Sequence, residues 1–304
     1  MTAVRDQSTQ TAVLRPGVAW RLAVLWVGFG LLAAPTILAN VRQSWTGEQG
    51  EQAPLVLAIG LWLVWRAWPG MRRAAQPASA GLAVGFFLAA GFVYVLGRIW
   101  DQFELESYGL YALALAGFYA MIGGAGLRQG WFPLAYLLFA LPPPYTVTWF
   151  LTGHLRLLVT EAAVGLFQAF GVSIVRDGLN ILVDQYDLAV QNACSGMNSL
   201  FSLSAIGLVY VYLRRGARWW YLALMLPPIV AFAIFGNFVR VAVVVALTHF
   251  FGDAVAQSFL HEGTGFLTFF AALLGVFLTD AIAAPLLLKR PAITGKGGDP
   301  VGLA

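Results

Sequence analysis

The stretch SAGLAVGFFLAAGFVYVLGR, residues 79–98, contains twenty residues in a row with a single charge at its end. Such a run is long enough to cross the hydrocarbon core of a bilayer as an α-helix. Similar runs recur along the chain, which is 60% hydrophobic and only 11% charged. Because lipid offers backbone groups no hydrogen-bond partner, and period-2 alternation is absent, the runs predict helices rather than a barrel. The predicted fold class is an all-α polytopic membrane protein.

Hydropathy predicts about eight transmembrane helices. The first run, at 18–39, is too long for a secretory signal and has no convincing cleavage pattern, so it predicts a retained helix. The run at 131–142 is short and ends in three prolines, whereas the run at 219–250 is long and predicts a break near Pro227 or Gly236. The eight predicted spans are 18–39, 53–68, 79–98, 108–127, 131–142, 195–213, 219–250 and 264–287.

Two segments between the spans have a different character. Residues 147–171 are apolar with polar groups at helical spacing, which predicts an interfacial or re-entrant helix. Residues 176–190 alternate weakly and contain turn residues, which predicts a short extracytoplasmic hairpin. We therefore predict a cytoplasmic N-terminal tail at 1–16, a single integral membrane domain at 17–288 and a cytoplasmic C-terminal tail at 289–304.

The basic residues indicate the orientation, because cytoplasmic loops of membrane proteins are enriched in lysine and arginine. With the N-terminus inside and 147–171 not crossing, both termini are cytoplasmic, and Cys194, Arg240 and His261 share the outer face. The formal net charge is +4. The basic residues of the chain are scattered between apolar spans rather than gathered in one patch, so no nucleic-acid partner is predicted.

Cys194 is the only cysteine, and it stands in the polar run QNACSGMNS, residues 191–199, that opens an apolar span. A thiol is nucleophilic as thiolate, which a helix N-terminus or a nearby cation favours. Asn192 or Ser195 is a candidate N-cap that would put the thiol in the first helical turn, where unpaired N–H groups favour negative charge. The same N–H groups could bind an oxyanion. This setting indicates a nucleophile more than a small core residue.

Arg240 and His261 supply the other groups that cysteine catalysis needs. An imidazole with a pKa near 6.5 can take the thiol proton and return it to a leaving amine. Arg240 stays charged and could stabilise a thiolate or a tetrahedral oxyanion. No metal or cofactor is predicted, because no two histidines have ligand spacing and the carboxylates do not cluster with them. The supporting residues predicted around this site are Asn192, Ser195, Gly196, Asn198 and Asn237.

These residues resemble the exosortase and archaeosortase family in three ordered pieces: Ala193-Cys194-Ser195-Gly196, Asn237-Phe238-Val239-Arg240, and His261 at the start of the last span. The proline turn at 142–144 and the segment 171–178 look like that family as well, so the resemblance covers about residues 130–287. It implies a membrane-embedded cysteine transpeptidase. Its substrates would be exported proteins with a C-terminal sorting signal of the PEP-CTERM kind: a short motif such as Pro-Glu-Pro, a transmembrane helix and a basic tail.

By this resemblance Cys194 attacks the peptide carbonyl near the motif, His261 shuttles the proton and Arg240 stabilises the intermediate. The acyl-enzyme then passes to an unidentified acceptor, conceivably a lipid or polysaccharide, since bacterial members commonly accompany exopolysaccharide production. The resemblance implies the bacterial cytoplasmic membrane, with the site on the extracytoplasmic face. Arg156, Arg176 and Arg240 are the candidates to meet the acid of the sorting motif.

Two alternatives stay open on the sequence. One is a non-enzymatic transporter or polysaccharide-export subunit, in which Arg240 and His261 line a solute path and Cys194 is incidental. The other is a purely hydrolytic intramembrane cysteine protease that cleaves the same kind of tail. It differs from the transpeptidase only in its acceptor.

Overall fold

The structure is a computed structural model that describes residues 16–45, 52–178, 180–183, 186–189, 196–252 and 259–287. Apart from Pro16, the predicted tails at 1–16 and 289–304 lie outside these ranges. The predicted all-α polytopic membrane fold is confirmed, because six helices in the described ranges are long and apolar enough to cross a membrane. The chain divides into two compact units, Met1–Pro144 and Tyr145–Ala304.

The first unit is helical throughout its described residues. Helix α4 begins five residues earlier than the predicted span at 108–127, and its N-terminal end carries acidic residues. The elements are α1 (Pro16–Ala39) with a π-helical turn (Asn40–Ser44), α2 (Ala53–Arg73), α3 (Ala80–Ile99), α4 (Phe103–Gln129), and α5 (Trp131–Tyr136) with a 3-10 turn (Leu137–Ala140).

The predicted crossing at 131–142 is too short in the structure to span a bilayer. Helix α5 and its 3-10 turn cover Trp131–Ala140. Such a stretch rises about 15 Å, half the hydrocarbon thickness. Three prolines follow at 142–144 and cannot donate the backbone hydrogen bonds that would extend the helix.

Helices α3 and α4 form a close antiparallel pair because each helix places a glycine against the backbone of the other. A Cβ atom at Gly97 would lie 2.3 Å from the backbone nitrogen of Glu106, and one at Gly109 would lie 2.5 Å from the Cα of Tyr94. Small residues of this kind let membrane helices approach closely.

Replacing Gly97 by alanine is expected to destabilise the protein by about 1–3 kcal/mol, since the new methyl group has no room between the two backbones. Gly91 on the same helix is the matched control, because no heavy atom lies within 4 Å of a Cβ placed there. Thermal unfolding of the two variants in the same lipid nanodisc measures the difference. Equal melting temperatures would show that the α3–α4 contact is not tight.

The same pair of helices buries an acid. Glu106 on α4 is 7% exposed, and its carboxylate accepts hydrogen bonds from Arg98 of α3 at 2.8 Å and from Thr36 of α1 at 2.5 Å. Asn40 also donates to Ser107 at 3.1 Å. These bonds tie α1 to the α3–α4 pair and satisfy the buried charge, as burial requires.

The second unit combines four long helices with a small sheet. The predicted hairpin is in fact a three-stranded antiparallel sheet, in which β1 pairs with β2 and β2 with β3. The elements are α6 (Tyr145–Ala169), β1 (Ile174–Asp177), β2 (Asn180–Val183), β3 (Tyr186–Ala189), α7 (Gly196–Arg215), α8 (Trp219–Phe251) and α9 (Phe259–Leu287).

Two spans differ from their predictions. Residues 147–171, predicted to be interfacial or re-entrant, form most of α6, which has 25 residues, a mean hydropathy of 1.3 and the length to cross a membrane. The run at 219–250, predicted to break, is one helix of 33 residues that contains Pro227 and Pro228. Membrane helices tolerate internal proline, because neighbouring groups satisfy the freed backbone atoms.

The sheet packs against α6 and α8 through an apolar cluster, which we call the sheet core. Gln168 of α6 also donates a hydrogen bond to the carbonyl of Ile174 at 3.0 Å, which holds β1 to the end of that helix. Both contacts fix the sheet at the C-terminal parts of α6 and α8. The buried members of the sheet core are Val159, Ala163, Val164, Ile174, Ile181, Val183, Val241 and Val245.

A buried polar cluster joins α7, α8 and α9 at the end where α7 stops and α8 starts. Asp280 of α9 is 0% exposed. Arg215 of α7 donates to its two oxygens at 3.1 and 2.9 Å, and Tyr221 of α8 donates at 2.7 Å. Tyr210 adds a longer bond of 3.3 Å. We call this the Asp280 cluster.

Candidate active site

A pocket lies between α7, α8 and α9 in the second unit. It is a half-open cleft whose empty volume, including the part open to its surroundings, is about 250 Å³. The lining residues are Leu203 of α7, Ala233, Gly236, Asn237 and Arg240 of α8, and Thr268, Phe269 and Ala272 of α9.

Asn237 and Arg240 lie together on the pocket wall, one helical turn apart. Asn237 is 3% exposed, and both its Oδ1 and the Nε of Arg240 are buried from solvent. A fixed cation in a water-poor pocket interacts strongly with any negative charge that forms nearby. The pocket therefore has the electrostatic character that a developing anion needs.

Helix α8 runs antiparallel to both of its neighbours, and close contacts define the register. A Cβ atom at Gly207 of α7 would lie 3.1 Å from Ile229 of α8, and one at Gly236 of α8 would lie 3.4 Å from Ala272 of α9. The Asp280 cluster marks one end of this three-helix group. We call the opposite end, where α7 and α9 begin and α8 stops, the site end.

The pocket wall continues toward the site end along the same face of each helix. Residues seven apart share a face of an α-helix and are separated by a rise of about 10 Å. Seven residues toward the site end from the lining residues Leu203, Ala233 and Thr268 lie Gly196, Arg240 and His261, respectively. Three helices thus bring these backbone positions to one face of the group, at the same end.

The structure describes the elements that precede and follow Cys194 in the chain. Cys194, Asn192 and Ser195 lie outside the described residues, whereas Gly196, Asn198 and His261 are placed by their backbones in α7 and α9. Strand β3 ends at Ala189, five residues before Cys194, and α7 begins two residues after it. Strand β2, which pairs with β3, and helix α7 both contact α8.

Thr268 and Gly236 line the pocket but were not among the residues predicted from the sequence. Thr268 stands seven residues after His261, within the apolar stretch 265–278 of α9, and this spacing is the signal that could have identified it. Gly236 lets α9 approach α8, because the backbone of Thr268 and the side chain of Ala272 are already 3.4 Å from its Cβ position.

The fold and this pocket define a multi-pass helical membrane protein with a half-buried arginine and a buried asparagine at a three-helix junction. The chain belongs to the transmembrane exosortase family, because the family model "Transmembrane exosortase (Exosortase_EpsH)" matches residues 44–278. The match includes α7, α8 and most of α9, and it confirms the resemblance found in the sequence. No curated protein and no solved structure matches the chain.

Proposed function

We propose that this exosortase is a cysteine transpeptidase that removes the C-terminal sorting signal of exported proteins. Cys194 is the nucleophile, His261 the general acid and base, and Arg240 the group that stabilises the thiolate and the oxyanion. The observation that supports the proposal is that Arg240 lines the pocket, while Gly196 and His261 stand seven residues before the lining residues Leu203 and Thr268 on the two neighbouring helices. Cys194 precedes Gly196 by two residues.

The chemistry follows from these three groups. The Cys194 thiolate attacks the carbonyl carbon of the scissile peptide, and Arg240 with the first N–H groups of α7 stabilises the oxyanion. His261 gives a proton to the leaving amine, so that the tail departs and a thioester remains. An acceptor amine or hydroxyl then gives its proton to His261, attacks the thioester and releases the thiol. Water in place of this acceptor would make the enzyme a protease.

Helix lengths support a site on the extracytoplasmic face. The sequence predicted a crossing at 131–142 and none at 147–171. In the structure α5 is too short to cross and α6 is long enough, so α6 takes the place of α5 as a crossing. The predicted side of each later connection is therefore unchanged. If α1 and α7 cross as well as the six candidate spans, the described helices make eight crossings, and the first and last of them meet the same side of the membrane. The α2–α3 and α7–α8 connections then share that side, and their arginines 72–73 and 214–215 favour the cytoplasm.

Mass spectrometry of a co-expressed substrate tests the function. The substrate is a soluble reporter that ends in a Pro-Glu-Pro motif, an apolar helix and several arginines. Expression with this chain should remove the helix, and the mass left at the new C-terminus distinguishes transfer from hydrolysis. A reporter that keeps its tail at the same level as in cells without the chain would contradict the proposal for this class of substrate.

Substitution of Arg240 by lysine is expected to slow processing by about ten- to a hundredfold. A lysine keeps the charge but lacks the planar, forked donors that an oxyanion and an amide can share. Initial rates of tail removal measure the effect, with Arg214→Lys at the opposite end of the three-helix group as the matched control. Unchanged rates in both variants would remove Arg240 from the reaction.

A further inference from the structure

Helix α6 carries a buried polar stripe that the reaction does not use. Thr152, Arg156 and Thr160 are spaced four residues apart, so they lie on one face. The Thr152 and Thr160 hydroxyls and the Arg156 Nε are buried and have no hydrogen-bond partner among the described residues. Buried polar groups are normally satisfied, so a stripe of three unsatisfied groups indicates that a polar ligand binds there.

Two other arginines of the second unit, Arg176 and Arg215, are already engaged in ion pairs. Arg176 is bound to Glu161 at 2.5 Å, and Arg215 is bound to Asp280 at 2.9 Å. No hydrogen bond or ion pair within the described ranges involves Arg156. A cation inside an apolar helix without a counter-ion is costly and is functional by default.

The position of Arg156 relates it to the candidate active site. The sheet core joins Val159 of α6 to Val241 of α8, and both helices have their C-terminal parts toward the sheet. Arg156 lies three residues before Val159, and Arg240 lies one residue before Val241. The two arginines therefore occupy similar levels, within about one turn along their helices.

We propose that Arg156, flanked by Thr152 and Thr160, binds a carboxylate side chain of the bound peptide close to the scissile bond. A guanidinium pairs with a carboxylate through two parallel hydrogen bonds, and the two hydroxyls add donors on either side. Arg156 is the twelfth of the 25 residues of α6, roughly 16 Å from either helix end, beyond the normal reach of a lipid headgroup. This inference rests on the proposed peptide substrate and adds the residue that selects its acid.

A stability measurement tests the unpaired charge without any substrate. Arg156→Met keeps most of the side-chain volume and removes the charge, so the ligand-free protein in nanodiscs should melt at the same or a higher temperature. The matched control is Arg215→Met, which strips Asp280 of its cation and should lower the melting temperature. A fall for Arg156→Met equal to that of the control would overturn the proposal, because it would reveal a structural partner.

A binding measurement tests the ligand. The Cys194→Ala chain in nanodiscs is titrated with two fluorescent tail peptides, identical except for Glu or Gln in the Pro-Glu-Pro motif. The Glu peptide should bind about ten- to a hundredfold more tightly, as expected for a charge-assisted hydrogen bond. Adding Arg156→Gln should abolish this preference, whereas adding Arg176→Gln should leave it.

Three outcomes would overturn the inference: a Glu preference that survives Arg156→Gln, equal binding of both peptides to the parent, or no binding of either.

A further experiment compares melting temperatures in nanodiscs with and without anionic lipid. If anionic lipid stabilises the wild-type chain but not Arg156→Met, the ligand is a lipid phosphate and the peptide assignment is wrong. Because the peptide titrations use the Cys194→Ala chain, their results stand whether or not the wild-type chain cleaves the reporter, so failure of the two proposals can be told apart.

Discussion

A Cys194→Ala variant is expected to leave the sorting tail of the co-expressed reporter intact, with tail removal slower by a factor on the order of 10³ or more. Without the thiol no acyl-enzyme can form, and the remaining groups can only polarise the substrate. Cys194→Ser tests the same step more finely, because a hydroxyl of similar size is a much weaker nucleophile at neutral pH. The rate of tail removal by the wild-type, Cys194→Ala and Cys194→Ser chains is measured from the intact mass of the reporter over time.

The chain contains one cysteine, so a thiol reagent provides an independent measurement of the same residue. Iodoacetamide should inactivate the wild-type chain, and the substrate peptide should protect it. If Arg240 and the start of α7 stabilise the thiolate, the alkylation rate should rise through a midpoint below about 8.5, the ordinary pKa of cysteine.

The thermal unfolding curve of Cys194→Ala serves as the folding control. Removing one sulfur atom is a small change in volume, so the melting temperature should change little. Tail removal at the wild-type rate by a folded Cys194→Ala protein would exclude cysteine catalysis. It would favour the transporter reading, in which Arg240 and His261 serve a solute path.

Bilayer physics made most of the helical fold predictable from the sequence. Apolar runs such as 53–68 and 79–98 have to be helical in lipid, and α2 and α3 are found there. Hydropathy was less informative where a helix carries several polar residues. His154, Arg156 and Glu161 lower the mean hydropathy of α6 to 1.3, so this span looked interfacial.

Pairings between distant helices could not be predicted from one sequence. Arg215 was assigned only to the basic cytoplasmic connections, yet it is the partner of Asp280, 65 residues later. Asp280 itself was overlooked, although an acid inside an apolar run is costly and is a signal of a buried partner. The spacing of Asn237 and Arg240 predicted a shared helical face, and the structure adds that this face borders a pocket.

Loss of the Asp280 carboxylate is expected to be the most destabilising single change in the second unit. An Asp280→Ala variant leaves Arg215, Tyr221 and Tyr210 without their common acceptor, and breaking a buried ion pair in this way costs about 3–5 kcal/mol. Arg215 keeps 24% side-chain exposure, so part of its charge can return to water and the lower figure applies. Thermal unfolding in nanodiscs measures the loss.

The matched comparisons separate the charge from the packing. Asp280→Asn keeps the shape and one acceptor but lacks the charge for Arg215, so it should fall between wild type and Asp280→Ala. Arg214→Ala removes the neighbouring cation, which makes a long bond of 3.4 Å to Tyr210 and lies over its ring, and should change the melting temperature little. If Asp280→Ala unfolds at the temperature of Arg214→Ala, the cluster does not hold the three helices together.

A double-mutant cycle measures whether Asp280 and Arg215 stabilise the protein as one pair. If Asp280 and Arg215 act as one pair, the double alanine variant should be more stable than the sum of the two single losses predicts.

The Asp280 cluster also bears on the proposed reaction. It fixes the ends of α7, α8 and α9 opposite the site end, and so it sets the position of each of these helices along the others. A shift of one turn there would move Gly196, Arg240 and His261 relative to each other by about 5 Å, which the reaction proposed above would not tolerate. Processing should therefore fall in Asp280→Ala even at temperatures where the variant remains folded, although Asp280 lies far from any reacting atom.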